Sequence, residues 1–297
     1  MRRILLFILT LTALALTLTM LNVSNTDNAA TASNTMTGAT IADSNADITP
    51  HDSTNVVILG DSQSWIGGDN CDKPRGWNKW FKDMFRPASC KSYARSGATW
   101  TNTPQTIVNT EENTGVLADN NVIFNQVKRL EEALKNGSQV QPQLIIIAAG
   151  TNDAWFGKQR PQRFYKTAAE VCNENGAAIT KKQPSEILTL AEAVCYNCTL
   201  LRQLCPDAML VLLTPTYITK TPDSMVDQAA QIIDDCAAML GLQVIRMDKH
   251  SGIDSAKERK TLRLTTDGVH TSEEGARRNG TIVAKQIDRM MRQEGKN

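Results

Sequence analysis

The sequence predicts an α/β fold in which a five-stranded parallel sheet is covered by helices on both faces. Three observations predict it: five short apolar runs of strand length, helical periodicity between them, and turn-rich loops directly after the runs. The runs are Asn55–Leu59, Lys91–Arg95, Leu144–Ala148, Met209–Thr214 and Gln243–Met247. Between them, the stretch Val122–Lys135 sets Val122, Phe124, Val127, Leu130 and Leu134 near one helical face. Ser224–Leu240 reads as a second helix, stopped by Gly241. Thr271-Ser-Glu-Glu274 has the spacing of a capping box opening a final helix that carries Ile282, Val283, Ile287, Met290 and Met291. No internal repeat interrupts this alternation.

Ahead of the first strand the composition changes. Arg2 and Arg3 precede an apolar run from Ile4 to about Val23, with Ala13-Leu14-Ala15 as a small-residue cleavage site, so residues 1–23 read as a signal peptide or, uncleaved, as an N-terminal anchor. No cysteine near the end of the run offers a lipidation site. Residues 24–54 are rich in Ser, Thr, Asn, Asp and Ala without hydrophobic periodicity, the composition of a disordered polar spacer. The folded domain is expected over residues 55–297. Export to an extracytoplasmic or secreted location follows from this reading, with a membrane as partner only if the apolar run is retained.

Over 297 residues, 41% hydrophobic and 21% charged residues are ordinary globular values, and a formal net charge of +1 supplies no broad basic field for a phosphate backbone. Nucleic acid is thereby excluded as a partner. Seven cysteines in an exported chain suggest disulfides, with at least one sulfur left over. Cys195, Cys198 and Cys205 fall in one predicted helix, and Cys236 lies beyond it. This spacing lacks the second paired knuckle of a zinc site and reads as disulfides or buried thiols. Cys71 and Cys90 bracket a short segment that they are placed to close.

In an open α/β sheet, ligands bind at the edge where loops leave the C-terminal ends of the strands. The residues following the predicted strands are Gly60-Asp-Ser-Gln-Ser64, Ser96-Gly97, Gly150-Thr-Asn-Asp153 and, after a further loop, Asp267-Gly-Val-His270. A serine hydroxyl becomes a nucleophile when a base takes its proton, and that base needs a partner fixing its tautomer. Of three histidines, His51 lies in the spacer and His250 in a polar stretch. His270, three residues after Asp267 in a turn leading into a helix, is the candidate base.

These four blocks, in this order, resemble those of the SGNH (GDSL-like) hydrolases, and the resemblance spans about residues 55 to 295. It implies a three-layer, flavodoxin-like α/β/α sandwich. It implies Ser62 as nucleophile, His270 as general base and later general acid, and Asp267 as the group orienting the imidazole. It further implies an oxyanion hole built from the Ser62 and Gly97 backbone N–H groups and the Asn152 carboxamide. These donors suit the chemistry, because acyl transfer places negative charge on the carbonyl oxygen and fixed neutral donors stabilise that state. Asp61 and Asp153 read as structural turn residues. The sequence departs from the family at Gln63, where a leucine is common, which leaves the acyl pocket open. An α/β-hydrolase elbow fits less well, since Ser64 stands where it requires glycine. No metal or organic cofactor is called for.

Trp65, Trp100 and Trp155 each follow a site residue by three positions, and exposed indoles at a cleft rim suit sugar rings. The opposing reading has each indole anchoring its helix in the core. A long insertion between Asp153 and Ile187 carries Trp155, Phe156, Arg160, Arg163, Phe164 and Tyr165, the material of a lid, a wall or a surface elaboration. The expected activity is deacylation of carbohydrates, removing acetyl or similar small groups. The alternatives are a lysophospholipase- or thioesterase-type lipid hydrolase, acyl transfer to a sugar hydroxyl, and a non-catalytic glycan-binding module of the same fold.

Overall fold

The computed structural model describes residues 48–111, 117–172 and 176–294. The expected signal segment and most of the spacer lie outside them. Five strands, β1 (Asn55–Gly60), β2 (Ser89–Ser92), β3 (Leu144–Ala148), β4 (Met209–Leu213) and β5 (Gln243–Ile245), form one all-parallel sheet in the order β2-β1-β3-β4-β5. The helices in chain order are α1 (Ser62–Trp65), α2 (Trp77–Phe85), α3 (Ile123–Lys135), α4 (Thr151–Trp155), α5 (Ala168–Val171), α6 (Gly176–Ile179), α7 (Leu190–Leu204), α8 (Asp223–Leu240), α9 (Met247–His250), α10 (Ser255–Glu258) and α11 (Glu273–Glu294).

Side chains alternate across the sheet, and each face has its own core. Val56, Ile58, Ile146 and Val211 meet Trp77, Phe81, Phe85, Val283 and Ile287, so α2 and α11 cover one face. Val57, Leu59, Ile145, Ile147 and Leu212 meet Val127, Leu130, Leu190, Val194 and Ile233, so α3, α7 and α8 cover the other. The central strands are therefore apolar throughout, as burial on both faces demands. Each fully buried aliphatic side chain contributes about 1.5–3 kcal/mol relative to an exposed one. The three-layer sandwich expected from the strand and helix pattern is the one observed.

Several local expectations are corrected. The second strand begins two residues earlier than expected and ends at Ser92 rather than Arg95. As an edge strand it pairs with β1 alone, its sequence alternates half-buried and buried residues, and Cys90 and Ser92 give little apolar signal. Past its end the chain still follows β1, with Tyr93 N donating to Ile58 O at 2.8 Å and Arg95 N to Gly60 O at 3.1 Å. β5 stops at Ile245 because Met247 already opens α9.

The capping box at Thr271 is also corrected. Ser272 Oγ accepts from Gly275 N at 3.2 Å, whereas Thr271 Oγ1 donates to Arg75 O at 2.8 Å and Glu274 pairs with Arg263 at 2.6 Å. The cap moves one residue because a tertiary acceptor claims the threonine hydroxyl. The spacer is corrected at its C-terminal end. Ile48 is buried, the His51 ring stacks on Phe85 with centroids 3.9 Å apart, and His51 Nε2 lies 3.0 Å from Asp288 Oδ1. Residues 48–54 thus belong to the folded domain.

Candidate active site

Strand β1 delivers Ser62 through a sharp turn into α1. Asp61 caps that helix, its side chain accepting from Gln63 N at 3.0 Å, while Asp61 N donates to Ala148 O at 3.1 Å and ties the turn to the end of β3. As the first residue of a helix, Ser62 has a backbone N–H with no intrahelical acceptor. Burial pushes the Asp61 carboxyl up to about 6, with the Gln63 N–H, Thr151 and the His270 ring pulling the other way.

Two residues not singled out from sequence hold this turn from behind. Gln126, buried in α3, clamps Gly60 with a reciprocal amide pair, donating to Gly60 O and accepting from Gly60 N, both at 2.8 Å. Trp77 Nε1 donates to Ser64 Oγ at 3.0 Å. Both are ordinary helix residues in the sequence; only the docking of their helices gives them these partners.

His270 and Asp267 share the loop before α11. The His270 Nδ1 to Asp267 Oδ2 distance is 2.7 Å, and Asp267 Oδ1 accepts from Val269 N at 2.9 Å and His270 N at 2.7 Å. Partial burial raises the Asp267 carboxyl, but the His270 ring and the two N–H groups outweigh it and hold the group below the usual carboxylate range. An Nδ1–H donated to a carboxylate leaves Nε2 as a proton acceptor. The Gln63 side chain joins this loop to the serine turn, Nε2 donating to Val269 O at 2.6 Å. Among the described residues no hydrogen bond runs from the Ser62 hydroxyl to the ring; the ring is bonded to Asp267.

The same loop is held from below by Glu258, a further residue with no signature in the sequence. Its buried carboxylate accepts from Arg263 N at 3.2 Å, Leu264 N at 3.0 Å, Thr265 N at 3.0 Å and Thr265 Oγ1 at 2.5 Å. Gly268 adopts φ +82°, and a Cβ there would stand 2.0 Å from Thr219 Oγ1. Glycine is required at this point so that the loop can turn against Thr219.

Asn152, in the first turn of α4, donates through Nδ2 to Ala98 O at 2.8 Å, which brings its carboxamide beside Gly97. One Nδ2 proton is used there and the second remains for a ligand. The buried Asp153 carboxylate accepts from Trp100 N at 2.9 Å, Thr101 N at 3.1 Å and Thr101 Oγ1 at 2.7 Å, fastening the loop of Gly97 to the loop of Asn152. Its structural reading agrees with these contacts.

The tryptophans separate. Trp100 is fully buried in the core against the α3 face, so its assignment to substrate binding is corrected: it anchors its loop. Trp65 is 41% exposed at the end of α1. Trp155, at the end of α4, is half-buried and stacks on Phe156 with centroids 5.3 Å apart.

The sulfurs of Cys172, Cys195 and Cys236 lie within 4.8 Å of one another, but Cys172 and Cys195 form a disulfide, leaving a single thiol that makes a poor metal site. Cys71 and Cys90 are buried thiols with sulfurs 3.3 Å apart, adjacent as their bracketing positions suggest.

A parallel α/β/α sandwich carrying a strand-to-helix serine turn and a His–Asp loop at one sheet edge defines the class of the SGNH hydrolases. The chain belongs to the GDSL-like lipase/acylhydrolase family, whose model matches residues 56–281. Among solved structures it is similar to a protein from Lactobacillus plantarum at 13% identity and TM-score 0.53, covering 80% of this chain and 97% of that one. It is also similar to a possible lipase from Chitinophaga pinensis at 14% identity and TM-score 0.50, covering 82% of this chain and 99% of that one. At such identities the likeness establishes the fold. No curated protein matches the chain.

Proposed function

We propose that this chain is an exported serine esterase that removes acetyl or similarly small acyl groups from carbohydrates through an acyl-enzyme. The observation that carries the reading is the His270–Asp267 pair at 2.7 Å, fastened to the serine turn by the bond from Gln63 to Val269. In this mechanism His270 Nε2 takes the Ser62 hydroxyl proton as the oxygen attacks the ester carbonyl. The developing oxyanion is received by the Ser62 and Gly97 N–H groups and the free Asn152 proton. Collapse releases the alcohol with the proton returned by His270. Water, activated by the same imidazole, then hydrolyses the acyl-enzyme. Asp267 stays ionised and stabilises the imidazolium. Neither a metal nor an organic cofactor takes part.

The carbohydrate assignment is supported by the exposed Trp65 indole and the Trp155–Phe156 stack beside the serine and asparagine turns. Export is supported by the Arg2-Arg3 leader pattern and by the disulfide between Cys172 and Cys195.

The test is hydrolysis of acetylated xylan against long-chain p-nitrophenyl esters. Ser62→Ala and His270→Ala are each expected to lower turnover by about 10³-fold or more with far-UV circular dichroism unchanged. The wild-type rate is expected to fall in acid as the imidazole is protonated. Full activity in Ser62→Ala would sink the esterase reading, and preference for the long-chain ester would replace the carbohydrate by a lipid substrate.

A further inference from the structure

Residues 66–76 form the loop between α1 and α2, and both halves of the candidate site lean on its C-terminal end and the start of α2. Thr271 Oγ1, next to His270, donates to Arg75 O at 2.8 Å, Arg75 Nη2 donates to Thr266 Oγ1 at 3.0 Å, and Trp77 Nε1 donates to Ser64 Oγ at 3.0 Å. The middle of the loop is tied to the edge strand β2. Ser92 N donates to Asp69 O at 2.8 Å, and Asp69 Oδ1 accepts from Arg95 Nη1 at 3.0 Å. Beside this tie stands Cys71, buried, with its sulfur 3.3 Å from that of Cys90, also buried, in β2 and 19 positions away. Cys71 adopts φ +55°, a left-handed backbone uncommon for residues other than Gly, Asn and Asp, and Asn78 Nδ2 donates to its sulfur at 3.4 Å. The fold thus holds this sulfur against a local backbone preference and within reach of its partner. An S–S bond of about 2.05 Å asks the two sulfurs to close by roughly 1.2 Å.

We propose that Cys71 and Cys90 are joined by a second disulfide as the exported chain folds, and that this bond fixes the loop bracing the serine and histidine turns. The oxidising surroundings are those of the export reading above; the pairing itself stands on the positions of the two sulfurs and does not depend on the activity. Two S–H bonds give one S–S bond, and the two protons and two electrons pass to a disulfide-bearing oxidant, whose own S–S bond is cleaved to two thiols. In the folded protein the neighbouring Cys71 sulfur and burial push the Cys90 thiol up, so thiolate is scarce and exchange is slow. The bond therefore forms while β2 docks on β1, before the loop seals the pair. Once formed, the same burial shields it from reductants. A cross-link at this point shortens the free part of the loop to the few residues between Cys71 and Trp77, which carry the ties to Thr266, Thr271 and Ser64. It stabilises chiefly by restricting the unfolded chain between the two cysteines.

The experiment refolds the full chain from guanidinium in oxidised and reduced glutathione, alkylates remaining thiols in denaturant, and maps peptides without reductant. The expected product is one species joining the Cys71 and Cys90 peptides, lighter than the two reduced peptides together by two hydrogens. Either cysteine recovered alkylated, capped by glutathione or linked to another cysteine overturns the pairing. The bracing role is read from melting and hydrogen exchange. Refolding in reductant instead of the glutathione mixture is expected to lower the melting temperature of the wild type by roughly 5–10 °C more than that of Cys71→Ala/Cys90→Ala, in which only the Cys172–Cys195 bond responds. Amides of residues 66–76 and 264–272 are expected to exchange about tenfold faster in that variant than in the oxidised wild type, with β4 and α8 unchanged. Wild type refolded in reductant gives the same comparison where the variant fails to fold. Equal melting shifts, or exchange at residues 66–76 and 264–272 that ignores the bond, overturns the bracing role.

Discussion

Asn152 carries two duties in one small side chain. One proton of its amide holds Ala98 O, and in the proposed mechanism the other receives the oxyanion. Replacing it with alanine removes the strut to the Gly97 loop and, in the proposed mechanism, a transition-state donor. Asn152→Ala is expected to lower kcat by about 10²–10³ with little change in KM, which steady-state kinetics on an acetate ester would check. Gln63 is the instructive departure from the family pattern. Where leucine is common, this chain places an amide that spans to Val269 O at 2.6 Å and couples the serine turn to the histidine loop. The identity of the residue was visible in the sequence; its partner, 206 positions away, was not.

At the scale of elements, the N-terminus of α7 is where the insertion after α4 is fastened. Thr189 and Glu192 form a reciprocal capping box, and the Glu192 carboxylate also meets Lys166 at 2.5 Å and Lys182 at 3.0 Å. Burial raises this carboxyl, but the two ammonium groups and the Thr189 hydroxyl overcome it and bring it from 4.5 down to about 2. A carboxylate held lower in the folded state than in the unfolded chain stabilises the fold above the unfolded value. That contribution is lost as pH falls from about 4.5 toward 2. Thermal melting of the wild type is therefore expected to drop more steeply over this interval than that of Glu192→Gln, which has no proton to take up. Parallel curves for the two proteins would remove Glu192 from that role.

For the whole molecule, the folded domain begins earlier than its composition suggests. Residues 48–54 are polar and aperiodic, yet Ile48 is buried, the His51 ring lies flat on Phe85, and Arg86 Nη2 donates to Ile48 O at 2.8 Å. A chain lacking residues 1–47 keeps these three contacts. One lacking residues 1–54 is expected to lose about 1–3 kcal/mol through the missing aromatic stack and apolar contact. Denaturant unfolding of the two shortened chains distinguishes these outcomes.

The sequence alone determined the sheet, its parallel sense, and which loops gather at its C-terminal edge. Those follow from the period and length of apolar runs, and a run such as Leu144–Ala148 has one comfortable environment, a strand buried on both faces. The strand pattern pointed to the loops that hold Ser62, Gly97, Asn152, Asp267 and His270, while their roles came from the resemblance of the four blocks to the SGNH hydrolases. Only the tertiary structure decided which side chains the folded loops satisfy. It buried Trp100, moved the cap of α11 from Thr271 to Ser272, and hung the histidine loop on Glu258. Hydrogen bonds are short-ranged and directional, so their partners come from positions distant in the chain that no local pattern encodes. Burial of a periodic face, by contrast, is written into neighbouring residues.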